Sequence, residues 1–185
     1  MADRFYGIGE SELHQIIEFL DESNAIEGVT HPKALEYSLN AFNYALVSFD
    51  KLNVETILTI HKTLIRDMNP KIAGKFRQCD VWIGGEKKPY ISDKLLEAQI
   101  EAWIKTIKDF ITLVNSLVAI ELKKETKEFF AKLTHIEFED IHPFEDGNGR
   151  VGRILFNVLR LKLGLPIMII HTGEEQQNYY KWFRK

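Results

Sequence analysis

Apolar residues recur along most of the chain at three- and four-residue intervals, the period of helices with one buried stripe. Leu13, Ile16, Ile17 and Leu20 follow Ser11, a capping residue type, and predict a first helix over about 11–28. It ends at Ser23-Asn24-Ala25-Ile26-Glu27-Gly28, where the glycine suits a helix C-terminus. A second helix is expected after Thr30 with Pro32 in its first turn. Its stripe is Leu35, Leu39, Phe42, Leu46 and Phe49, running to about Asp50. Asn53 caps a third helix to about Arg66, with Ile57, Ile60 and Leu64 inward, before Asn69-Pro70 breaks it. His61 falls among those apolar positions and reads as a packed histidine, not a ligand. Ser92 opens a long fourth helix carrying Leu96, Ile100, Trp103, Ile104, Ile107 and Ile111.

The period changes once, between residues 71 and 91. Val81-Trp82-Ile83 runs into Gly84-Gly85, a β-rich run at a two-glycine turn, which predicts a hairpin within about 74–91. Its plainest reading is a surface excursion with Trp82 tucked inward. Helical spacing then resumes. Glu121–Glu128 mixes both charges as the solvated start of a helix. Phe130, Leu133, Ile136 and Phe138 form the inward face from Phe129 to Phe138. His135 has no partner at ligand spacing and reads as structural. Ile154, Leu155, Val158, Leu159 and Leu161 mark the next helix, stopped by Gly164 and Pro166. Ile167–Ile170 is a short buried connection, and a last helix from Gly173 carries Tyr179, Tyr180, Trp182 and Phe183. The pattern predicts one all-α domain, residues 1–185, with one β-hairpin.

Composition narrows the function classes. A net charge of −3 argues against a general nucleic-acid binder. No apolar run approaches the roughly 20 residues that span a bilayer, so no membrane partner is expected. Met1–Phe5 lacks the apolar core of a secretory signal, and Cys79 is a single cysteine, so the cytoplasm is expected. A second copy of the chain stays open as a partner.

The chemistry concentrates between the last two long helices, in Ile141-His142-Pro143-Phe144-Glu145-Asp146-Gly147-Asn148-Gly149-Arg150-Val151-Gly152-Arg153. The residue before a proline avoids the right-handed α region, so His142 should end the first helix. Asn148 is the expected N-cap of the second, and the glycines on either side let the backbone curl and approach a ligand. A helix N-terminus offers N–H groups and a positive dipole end to phosphate. Arg150 and Arg153, three residues apart, add two guanidinium forks on one side. Asp146 is a carboxylate suited to Mg²⁺ bridging phosphates, and His142 titrates near neutrality and can act as a base. Taken singly, Gly-Asn-Gly is an ordinary turn. A calcium-loop reading from Asp146 fails, because Arg150 and Val151 stand where an oxygen ligand and a glycine belong.

Taken together, the run resembles the signature of the Fic family (filamentation induced by cyclic AMP), H-x-F-x-D/E-G-N-G-R-x-x-R. His142, Phe144, Asp146, Gly147, Asn148, Gly149, Arg150 and Arg153 match it throughout. Ser23, Glu27 and Gly28 resemble the family's looser inhibitory motif, S/T-x-x-x-E-G/N. The resemblance implies a Fic-type helical domain that transfers AMP from ATP to a Ser, Thr or Tyr hydroxyl of a target protein. It implies His142 as base, Asp146 holding Mg²⁺, and Gly147–Gly149, Arg150 and Arg153 on the phosphates. Glu27 and Ser23 would restrain Arg153 from an inhibitory helix. Val81, Trp82 and Ile83 would dock the target by strand addition, while Asn157, Tyr179 and Tyr180 would line the adenine site. Other outcomes remain open: another nucleotidyl or phosphoryl transfer, removal of AMP, or a non-catalytic nucleotide-responsive module.

Overall fold

The computed structural model describes residues 9–117 and 122–183. Met1–Phe5 and Glu121, read above from sequence, lie outside them. The helices are α1 (Glu10–Ile26), α2 (Ala34–Ser48), α3 (Val54–Ile65), α4 (Asp93–Ser116), α5 (Lys124–Ile141), α6 (Asn148–Lys162) and α7 (Glu174–Tyr180). One antiparallel hairpin, β1 (Val81–Ile83) with β2 (Glu86–Lys88), stands between α3 and α4. The expected all-helical fold with one hairpin is therefore what forms.

α6 is the central element. It packs against α1, α2, α3 and α5, and every residue from Arg150 to Arg160 is buried. A helix buried all round must satisfy its polar groups from its neighbours, and so α6 draws partners from several elements. Gly164, at φ 72°, ends the turn beyond it as the sequence implied. α3 begins as expected: the Asn53 carboxamide accepts from Thr56 N–H at 2.8 Å, and Ile57, Ile60 and Leu64 are fully buried.

Several faces differ from their pattern. α1 is preceded by Gly9, not capped by Ser11. Pro32 lies in the turn before α2, whose buried residues are Ala34, Tyr37, Ser38, Ala41, Phe42 and Ala45. The expected Leu35, Leu39 and Leu46 sit partly buried at the core's rim. Small alanines let α2 approach its neighbours closely, and a scan for large apolar residues passes over them. On α5 the buried residues are Ala131, Thr134, His135, Phe138 and Glu139, while Leu133 is exposed. This helix turns polar groups inward because it borders the site described next.

In the hairpin, Val81 pairs with Lys88 and Ile83 with Glu86 around Gly84 and Gly85, both at positive φ. Strand alternation buries Val81 and sends Trp82 outward, 66% exposed. Trp82 is thus not tucked inward.

Candidate functional site

α5 stops at His142 because Pro143 follows it. His142 takes a left-handed backbone, φ 49°, the one positive φ among described non-glycine residues. Its Nδ1 lies 3.2 Å from the Glu139 carbonyl, which can only accept, so Nδ1 carries the proton and Nε2 keeps its lone pair. Burial holds the imidazole below the ordinary histidine value, and the nearby Arg77 and Lys88 charges push the same way. The ring is therefore a neutral base at physiological pH.

The loop after His142 is fixed from three sides. Asn148 does not cap α6. Gly147, at φ 84°, holds that position, and Asn148 is the first helical residue. Its carboxamide reaches back to Phe144, accepting from the backbone N–H at 2.9 Å and donating to the carbonyl at 2.8 Å. Phe144 is fully buried and stacks on His61 at 3.8 Å, with the rings 5° apart. His61 donates from Nε2 to the Asp146 carbonyl at 3.0 Å and accepts on Nδ1 from Gly74 N–H at 3.0 Å. Burial lowers its pKa to about 4, so this neutral tautomer persists. His61 is the packed histidine expected, and also a strut under the loop that sequence spacing did not mark.

Arg153 is 2% exposed and engaged by the end of α1. Its Nε donates to Ser23 Oγ at 2.9 Å, and Nη2 donates to the Ser23 carbonyl at 3.0 Å and to Glu27 Oε1 at 2.8 Å. Glu27 reaches this position over Gly149, where an added Cβ would stand 2.3 Å from Oε1. Glu139, 8% exposed and close to the same arginine, is pushed up to about 7 by burial. Arg150 is also buried. Its Nη2 lies 3.6 Å from Asp146 Oδ2, and its Nε lacks a hydrogen-bond partner. The Asp146 side chain is 61% exposed.

Glu27, Arg153, His142 and Gly149 open onto one cleft of about 800 Å³, walled on its far side by Trp82–Gly84 and Glu86–Lys88 of the hairpin, and by Tyr179, Tyr180 and Phe183. That volume suits a nucleotide. Gly147, Asn148 and Arg150 do not wall the cleft, because the loop's own contacts and burial engage them, and Asp146, though exposed, lies outside its lining with Oδ1 accepting from Gly147 N–H. Asn157 is not in it either. Its amide donates to the Met168 carbonyl and accepts from Met168 N–H, tying down the Ile167–Ile170 connection. Tyr179 is buried with its hydroxyl 2.8 Å from His135 Nε2, and its ring lies under the Arg153 guanidinium. Tyr180 is 42% exposed at the rim.

Magnesium requires one or two carboxylates beside phosphate oxygens and water. No group of three His, Cys, Asp or Glu among the described residues could hold a metal without a ligand. The single exposed Asp146 carboxylate fits an ion that arrives with its phosphates.

Arg77 is the residue sequence reading missed. It is 2% exposed, and its Nε donates to the His142 carbonyl at 2.9 Å. Its Nη1 donates to the Cys79 and Pro89 carbonyls, each at 3.0 Å. No spacing marks it, since its partners are carbonyl oxygens that every residue owns.

A sequence model described as the Fic/DOC family matches residues 51–159. The protein adenylyltransferase Fic of Drosophila grimshawi is 30% identical over 162 residues, 87% of this chain and 30% of that protein. Its counterpart in Drosophila yakuba is 31% identical over 167 residues, 90% of this chain and 30% of the relative. The chain thus spans under a third of the length of these curated relatives. Among solved structures, Fic-1 of C. elegans superposes with TM-score 0.64 at 21% identity, over 97% of this chain and 59% of that one. A Fic domain containing signaling protein of Bacteroides thetaiotaomicron gives 0.62 at 24% identity, over 95% and 75%. These likenesses carry the fold.

Proposed function

The chain belongs to the Fic/DOC family, and from that premise we propose that it is a protein adenylyltransferase held in a restrained state by Glu27. The observation that carries this reading is one cleft bounded by His142, Arg153 and the hairpin, with Glu27 on the arginine. The acceptor is a Ser, Thr or Tyr hydroxyl of a target protein docked on the hairpin near Val81, Trp82 and Ile83, and the donor is ATP. In the cytoplasm, the compartment proposed here, ATP and magnesium are available together.

In this reading His142 Nε2 takes the hydroxyl proton as the oxygen forms its bond to the α-phosphorus. The bond to the β-phosphate oxygen breaks, and pyrophosphate leaves. As the imidazole becomes positive, the Glu139 carbonyl on Nδ1 holds the ring in place. Gly149 in the first turn of α6 and Arg153 face the cleft where the phosphates would lie, while Gly147, Asn148 and Arg150, which do not wall it, would act on them through the positive end and charge of that same turn. Bound magnesium, held at Asp146, would neutralise charge developing on the phosphates. Tyr180 stands at the cleft rim, where a base can stack. Arg153 cannot give its fork to both Glu27 and a terminal phosphate, so binding ATP productively requires displacing Glu27.

ATP labelled at the α-phosphate should label protein, whereas γ-label should leave as pyrophosphate. His142→Ala is expected to bind ATP as the parent does and to transfer nothing. Transfer retained in that variant would exclude His142 as the base.

A further inference from the structure

Arg77 raises a question its surroundings answer. A buried guanidinium is ordinarily matched to a carboxylate, yet each of the hydrogen bonds described for this one goes to a backbone carbonyl. Those carbonyls lie in two separate places. Cys79 and Pro89 flank the hairpin just outside β1 and β2, so Nη1 closes the hairpin's base across the two strands. On the opposite side Nε holds the His142 carbonyl, and the Arg77 backbone N–H holds the next one, Pro143, at 2.9 Å. Arg77 therefore grips both carbonyls at the bend where His142 is left-handed, a backbone uncommon for a non-glycine residue. A planar five-donor fork can serve both directions at once, and a lysine ammonium cannot.

We propose that Arg77 is a positioning residue that couples the hairpin to His142, so that a target strand docking on the hairpin is felt at the imidazole. This rests on the reading of His142 as base and of the hairpin as docking edge. Lys88, reaching from β2 to Asp140 on α5, is a second tie between the same two parts. The charges facing His142 come from three directions: Arg77 and Lys88 around the hairpin, Glu139 on its own helix, and Glu27 at the end of α1.

The test needs no turnover, so it stands apart from the transfer assay. Amide exchange over residues 79–90 and the ring ¹⁵N signals of His142 are followed in the wild type, Arg77→Met and Arg77→Lys. In Arg77→Met, hairpin exchange should rise about tenfold or more, and the His142 titration midpoint should move up as a neighbouring positive charge is lost. In Arg77→Lys the charge remains but the fork is gone, so hairpin exchange should rise while the midpoint stays near wild type. A uniform rise over α3, α4 and the hairpin with His142 unmoved would overturn the proposal, because Arg77 would then be only a core brace. Should Arg77→Met fail to fold, Gly85→Val decides. Position 85 has φ 90° and nothing within 4 Å of an added Cβ, so the change frays the hairpin from its far end. The proposal expects the His142 signals to shift there too, and unchanged signals would overturn it.

Discussion

At the scale of single residues, the site is a set of choices about where charge goes. Glu27 and Glu139 both approach Arg153, but burial pushes Glu139 up to about 7, so near neutrality it is partly protonated and Glu27 is the better partner. His142 is biased the opposite way: burial lowers its pKa and keeps it neutral. A base must be unprotonated to work, so the acid limb of kcat/KM for ATP, measured with magnesium in excess, should have its midpoint below 6.5. A midpoint at or above that value would contradict the assignment. The residue types of the loop were legible in sequence, because eight matching positions in a short run fix both order and spacing. Their individual duties were less so. Asn148 looked like a cap and is instead a clip on Phe144, since Gly147 takes the left-handed turn that the cap position requires here. His61 and Arg77 reach the loop through the distant main-chain carbonyls of Asp146 and His142, and a pattern of side chains does not announce such partners.

At the scale of elements, the α5–α6 contact decides how closely base and arginines approach. Gly152 is where the two helices meet. A Cβ there would lie 2.4 Å from Glu139 Oε1, 3.0 Å from His135 Cε1 and 3.1 Å from Phe138 Cδ1. Gly152→Ala should therefore destabilise by about 1–3 kcal/mol despite the better helix propensity of alanine. Thermal unfolding checks this, and a Tm equal to the wild type's would show that the helices part without cost. Helix number, the hairpin and its two-glycine turn were readable from period and turn chemistry. The buried face of α5 was not. Periodicity finds apolar stripes, whereas a helix that borders a polar site buries Thr134, His135 and Glu139.

At the scale of the whole molecule, the proposed restraint rests on α1, the element that would separate a restrained from a competent state. Its C-terminal end gives Arg153 three acceptors, two from Ser23 and one from Glu27, and Asn24 anchors it to α2 through Ser38. Removing Glu27 leaves the other contacts and the helix in place, so the change falls on the arginine's availability and not on the fold. A charge-assisted hydrogen bond contributes about 1.5–3 kcal/mol, equivalent to one to two powers of ten in productive binding. The most direct measurement compares initial rates of AMP incorporation by the wild type and Glu27→Gly at saturating ATP. A rise of about ten- to a hundredfold is expected in the variant; equal rates would mean that Glu27 does not restrain the arginine at all.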